Sequence, residues 1–273
     1  LRFKTFLPLI TLFLIGSLSI SAQDGTTPKV DDQKAPEAKL ADLSKEEVDG
    51  LRVAESTILV YSGLRGRLGL GQIRKTTVEI GKMVINNPDG SKSQADYERR
   101  VLRGEDLEKE KVRFDQKFPN AEYALIYDGD KIFGIVNNLV FTPQEDASTS
   151  FKNQIWHGLE ALLRYKENGS TVKLEREEKD MGVDFYVVTV TDKENRQTTF
   201  YISKKSLRVM KIEYESEGIK YRQKFYDHNY AQGTLVPYRT VLWANDKQIE
   251  ERDIATITYG QVVGEDLFKG IAQ

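Results

Sequence analysis

Hydrophobic and polar positions alternate with a period of two through most of the second half of the chain. Val183 to Thr191 is almost wholly β-branched or aromatic, a composition that suits a pleated surface. Polar turns at 192–196, 203–206 and 216–218 separate it from Gln197–Ile202, Leu207–Glu215 and Ile219–Tyr230. Links this short join antiparallel neighbours, because a parallel crossover needs a dozen or more residues. The four segments therefore predict a meander, and Val236–Ala244 and Ile249–Tyr259 extend it across a turn at Asn245-Asp246-Lys247.

A second alternating region comes earlier. Strands are predicted at 73–85, 97–102, 109–118, 123–127 and 132–136, divided by the turn residues Asn86–Ser91, Gly104–Asp106 and Asp128–Lys131. Two segments depart from this period. Ser44 stands three residues before Glu47 in a capping-box arrangement, and Val48, Leu51, Ile58 and Tyr61 follow at helical spacing, so a helix is expected over 44–61. Phe151, Ile155, Leu159, Leu162, Leu163 and Tyr165 predict a second amphipathic helix over about 145–166, stopped by Asn168-Gly169. Gly63, Gly66, Gly69 and Gly71 lie between a helix and a strand. A phosphate-cradling loop needs the reverse order, so they are read as a helix stop and a tight connection into a strand at Ile73. The pattern amounts to an α+β fold, mostly antiparallel β, with ten to twelve strands and two helices in one domain over 44–273.

Alternation also assigns faces. Tyr221, Gln223 and Phe225 share one side of their strand, and Arg222, Lys224 and Tyr226 the other. Phe185 and Val187 oppose Tyr186, Val188 and Val190, so that strand is apolar on both faces and needs cover on each. Helices are expected on one side, with a packed core or a ligand cavity on the other.

Composition changes the picture at the N-terminus. Arg2 and Lys4 precede an apolar run over Phe6–Ile15, and Ile20-Ser21-Ala22 offers a small-residue cleavage site, so residues 1–22 predict a cleaved signal peptide. Residues 23–43 are polar, charged and Pro-containing, as a disordered linker would be. The sequence contains no Cys, so neither disulfides nor an acylated cysteine are expected, and the product should be soluble in the periplasm or secreted. Net charge is -2, or -4 without Arg2 and Lys4, and gives no electrostatic reason to expect nucleic acid.

Candidate chemistry is sparse. His157 and His228 are the sole histidines, too few for a zinc site built on His or Cys. His157 is expected at a packed or interfacial position in the helix beside Trp156, and His228 as a solvated strand-end residue. No Gly-x-Ser-x-Gly elbow is present. Acid pairs such as Glu177-Glu178, Glu250-Glu251 and Asp128 with Asp130 have the spacing of turns and wet strand faces. No catalysis and no cofactor are expected.

The end of the chain carries a resemblance. Tyr226-Asp227-His228-Asn229-Tyr230, Leu235-Val236-Pro237-Tyr238-Arg239, Ile254-Ala255-Thr256-Ile257-Thr258-Tyr259 and Asp266-Leu267-Phe268 follow an opening helix, a Gly-rich connection and a mid-chain helix. Together they resemble the periplasmic lipoprotein-carrier superfamily, the LolA/LolB-like outer-membrane lipoprotein-sorting proteins. The resemblance covers most of residues 44–270. It implies a curved half-barrel of about eleven antiparallel strands, two main helices covering its open side, and a hydrophobic cavity for acyl chains. Its partners would be lipoprotein acyl chains or another apolar ligand, with envelope proteins as further candidates, and the chain is expected to be a monomer. Strand alternation, rather than any family motif, nominates the cavity residues: Val78, Ile80, Leu125, Phe185, Val187, Tyr201, Met210, Ile212, Tyr221, Phe225, Val241 and Trp243. The alternative is an envelope interaction or structural module with a fully packed core.

Overall fold

A computed structural model describes residues 43–270. The predicted signal peptide and nearly all of the linker lie outside these residues. The chain opens with α1 (Lys45–Tyr61) and α2 (Gly66–Ile73). A first meander follows: β1 (Thr76–Asn86), β2 (Lys92–Leu102), β3 (Lys111–Lys117), β4 (Glu122–Tyr127), β5 (Ile132–Val136) and β6 (Leu139–Phe141). Then come α3 (Glu145–Trp156) and α4 (Leu159–Leu163). The second meander is β7 (Thr171–Asp180), β8 (Val183–Thr191), β9 (Gln197–Ser203), β10 (Val209–Ser216), β11 (Ile219–Ala231), β12 (Thr234–Ala244) and β13 (Lys247–Tyr259).

One antiparallel contact welds the two meanders together. β1 pairs with β13 from Thr77 opposite Tyr259 to Ile85 opposite Glu250, which makes a single 13-stranded sheet with β6 and β7 as its edges. The sheet is strongly curled. Seven strand steps separate β3 from β9, about 34 Å across a flat sheet. Yet α3 and the residue that caps it touch both: Phe151 stacks on Phe114 of β3 at 6.4 Å, and His157 Nδ1 lies 2.7 Å from Thr198 Oγ1 of β9. Six residues of helix cover about 9 Å. The sheet therefore wraps around the helices as an open half-barrel, and its rim is drawn together where Lys193 and Arg196, beside the β8–β9 turn, pair with Asp106 and Glu108 of the β2–β3 connection.

The main core lies between the helices and the inner face of the sheet. It includes Ile58 and Tyr61 of α1, Phe151 and Ile155 of α3, and Leu162 and Leu163 of α4. These pack on Val188, Phe200, Ile202, Ile212 and Phe225. The capping box at the start of α1 forms as expected, with Glu47 N donating to Ser44 Oγ at 3.2 Å and Ser44 N to Glu47 Oε2 at 2.8 Å. α1 lies directly against the β7 backbone: a Cβ on Gly50 would stand 2.7 Å from Leu174 N. A smaller cluster covers the outer face, where Phe268 of the closing 3-10 turn packs with Ala124 and Ile126.

Three details differ from the sequence reading. Thirteen strands are present rather than about eleven, because β6 and the full length of β7 add to the count. The glycine-rich segment is not a bare connection: residues 66–73 form α2, which buries Leu70 and anchors Arg67 to Glu55 and Glu167, so tertiary contacts override weak glycine propensity. The expected single helix over 145–166 is broken at Gly158, whose extended backbone (ψ -177°) turns α4 away from α3.

Candidate functional site

Two spaces flank α3 on the inner face of the sheet. A chamber of about 190 Å³ lies between α3–α4 and strands β1, β2, β11, β12 and β13. An open groove of about 1010 Å³ lies on the other side, between α3 and the ends of β9–β12. Asn153 and Tyr214 line both, so the helix and one tyrosine partition a continuous tract.

The chamber is half apolar and half charged. Val101, Leu107, Ile155, Leu159, Phe225 and Leu242 supply the apolar wall, and Arg74, Arg99, Arg103, Arg252, Glu79 and Glu160 stand among them. Strand parity puts the charges there. β1 and β2 pair with Thr77 opposite Val101 and Glu79 opposite Arg99, so these four and Tyr97 face inward, whereas Val78 and Ile80 face outward.

Most of the charges are locked in pairs. Glu160, at the first turn of α4, accepts from Arg74 Nη1 at 2.6 Å and Arg103 Nη2 at 2.6 Å. Burial alone would raise its carboxyl, yet the Arg103 and Arg74 guanidiniums draw it down to about 2. Arg74 also donates to Thr234 Oγ1 at 2.9 Å and to the Leu235 carbonyl at 2.8 Å, which fixes β12 to the same hub. Arg252 donates to Glu250 at 2.9 Å and to Gln154 of α3 at 2.8 Å. Arg164 meets Glu110 at 2.5 Å with both side chains buried, and there burial outweighs the partner and raises the Glu110 carboxyl.

The groove has an aromatic floor. His157 stacks on Tyr214 at 4.2 Å and nearly parallel (1°), and Tyr214 stacks on Tyr221 at 4.9 Å. Burial lowers His157 to about 4, so the ring is neutral at physiological pH. Trp156, whose face is covered by Arg196 at 3.9 Å, closes one wall. His157 thus occupies the packed position expected of it. His228 is half-buried rather than solvated, because its Nε2 lies 3.2 Å from the Val209 carbonyl. Among the described residues no group of three or more His, Asp or Glu side chains could hold a metal ion.

The twelve nominated cavity residues do not converge. By register, Leu125, Ile212, Tyr221 and Phe225 face the helices. Only Phe225 lines the chamber and only Tyr221 the groove, while Leu125 and Ile212 belong to the packed core. Val78, Ile80, Phe185, Val187, Tyr201, Met210, Val241 and Trp243 lie on the outer face, where Phe185, Val187, Tyr201 and Met210 form a small cluster of their own. Sequence reasoning followed apolar alternation, and in the first half of β1 the apolar residues Val78 and Ile80 are the outward ones, whereas Met83 and Ile85 further along face inward. The usable signal was the interleaved charge, Glu79 opposite Arg99, on strands that the turn chemistry had already paired.

No family model matches the chain, and no curated protein matches it by sequence. Solved structures do resemble it. A DUF1329 family protein from Desulfovibrio piger aligns with 14% identity over 83% of this chain and 98% of its own, at a TM-score of 0.56. An outer membrane lipoprotein-sorting protein domain from Vibrio parahaemolyticus aligns with 14% identity over 81% of this chain and 97% of its own, at 0.52. A LolA superfamily protein from Nitrosomonas europaea aligns with 11% identity over 81% and 97%, at 0.56. A single open antiparallel sheet, curled around helices that close its inner face, is therefore a LolA-like fold.

Proposed function

We propose that this chain is a non-catalytic periplasmic carrier that shelters the acyl chain of a lipid-modified protein, or another apolar acyl ligand, beneath α3. The observation that supports the reading is the position of α3 between a partly apolar chamber and an open groove, with Asn153 and Tyr214 shared by both. The chamber, at about 190 Å³, is smaller than the roughly 300–1,000 Å³ of ordinary ligand sites. Loading requires α3 to lift, and the break at Gly158 supplies a pivot. The anchors to be withdrawn are Phe151 and Ile155. Exposing them costs about 3–6 kcal/mol, and burying roughly four to eight acyl methylenes at ~0.8 kcal/mol each offsets it. No bond to the ligand need form or break.

Tryptophan fluorescence tests this directly, because Trp156 and Trp243 are the only two tryptophans. In a Trp243→Phe variant, Trp156 at the end of α3 reports alone, and an acyl-chain quencher is expected to reduce its emission saturably at one site. Unchanged emission with every acyl probe, and no retention of the probe by the protein, would end the reading. One observation favours a second reading, an envelope interaction module: the groove is polar, open and about 1010 Å³, ample for a peptide from another protein.

A further inference from the structure

Among the described residues, Arg99 is the one guanidinium lining the chamber that makes no ion pair. Arg74 and Arg103 share Glu160, and Arg252 holds Glu250. Arg99 lines the same space, half-buried, and makes no ion pair or hydrogen bond through its side chain among the described residues. Its opposite neighbour across the β1–β2 ladder is Glu79, whose carboxylate is engaged instead by the Tyr97 hydroxyl at 2.7 Å. The chamber is lined by four guanidiniums and four carboxylates, and one of those carboxylates, Glu110, is already held by Arg164 from outside the lining.

We infer that Arg99 receives the carboxylate head of a single acyl chain, so that the ligand class is a fatty acid rather than a neutral acyl group. The inference rests on the carrier reading and narrows it. Three features point to this chemistry. The guanidinium fork matches a carboxylate with two parallel hydrogen bonds, and in a half-buried setting that pairing is stronger than in water. A single unpaired guanidinium matches a monoanion, while Glu79 and Glu110 nearby would repel a dianionic phosphate more strongly. Val101 stands two residues along the same face of β2, and Leu159 and Phe225 line the same space, so a chain leaving the head meets apolar wall at once.

The test titrates the intact chain with dansyl-undecanoic acid and with its methyl ester, followed by dansyl fluorescence. The acid is expected to bind about tenfold more tightly than the ester, the size of one charge-assisted pairing. Arg99→Gln should abolish that preference and leave ester affinity within about twofold, and Arg99→Lys should retain part of it. Circular dichroism establishes that each variant is folded, and if the Gln variant is not, the Lys variant decides by whether it weakens the acid alone. Equal binding of acid and ester, or a preference unchanged in both variants, overturns the Arg99 assignment and leaves the carrier reading standing. Displacement of the acid by millimolar inorganic phosphate, with the ester untouched, would show a plain anion site and overturn the acyl source. Failure of both probes to bind removes the carrier reading and this one with it.

Discussion

The inner face of the sheet has two halves that share helices and differ in substance. Over β8, β9 and β10 it is closed by Val188, Phe200, Ile202 and Ile212, all completely buried, against α1 and α4. Over β1, β2 and β13 the inward positions mix Val101, Ile257 and Tyr259 with Thr77, Glu79, Arg99, Glu250 and Arg252, and a chamber remains. Apolar side chains without directional demands collapse until space is filled. Ion pairs hold their geometry, and desolvation makes further collapse around them costly. The charged half can therefore keep a volume that an apolar lining of the same size would close.

Several measurements would break or sharpen this contrast. The largest effect is expected in the packed half, where Phe200→Ala should cost about 3–5 kcal/mol in a denaturant titration. A loss below 1 kcal/mol would show that this half is not the source of stability. Next comes the charged hub. Glu160→Gln leaves Arg74 and Arg103 without their shared carboxylate, and the loss should be about 2–3 kcal/mol, below the usual figure for a buried pair because Glu160 keeps 22% side-chain exposure. Since its folded value is lowered to about 2 from 4.5, the stabilisation is full above pH 4.5 and fades as pH falls toward 2. The variant should lose that part of the acid sensitivity, and an unchanged acid profile would remove Glu160 from the hub.

His157 titrates in a neighbouring window. Its folded value is lowered to about 4 from 6.5, so the unfolded chain takes up the proton first, and stability declines as pH drops from 6.5 to 4, by roughly 2–3 kcal/mol. His157→Phe would keep the stack on Tyr214 and flatten this slope; a slope that persists would assign it to other groups. The smallest effect is expected at Arg99, where Arg99→Gln should change stability by no more than about 0.5 kcal/mol, since no partner is lost. A loss as large as that of Glu160→Gln would mean that Arg99 is already paired.

Strands and turns were legible because their signals are local. Asp192–Arg196 and Ser216–Gly218 are turn chemistry, and the alternation from Val183 onward declares strand irrespective of what lies above it. Ser44 and Glu47 likewise announced the start of α1 within four residues. The site was not legible in the same way. Glu160 meets Arg74 across 86 residues and Arg103 across 57, and nothing near any of the three indicates the others. β1 shows the difficulty most sharply: Thr76-Thr77-Val78-Glu79-Ile80 reads as a strand with Val78 and Ile80 inside, yet its pairing turns Thr77 and Glu79 to the chamber. The break at Gly158 was hidden because apolar spacing continues through it in both helices.

The seating of α1 against β7 has a consequence for how the molecule meets copies of itself. An open sheet offers two terminal strands on which a foreign strand could template. At β7 the helix backbone presses so closely on Lys173 and Leu174 that a single methyl on Gly50 would collide with them, so α1 braces the start of this edge strand. At the far end β6 is only three residues long, with Leu139 and Val140 exposed, and offers too little backbone to hold a growing stack. The start of β7 is thus braced by a helix and β6 is brief, and Gly50→Val, by dislodging α1 from Lys173 and Leu174, is expected to raise self-association through the β7 edge, a change that light scattering would read.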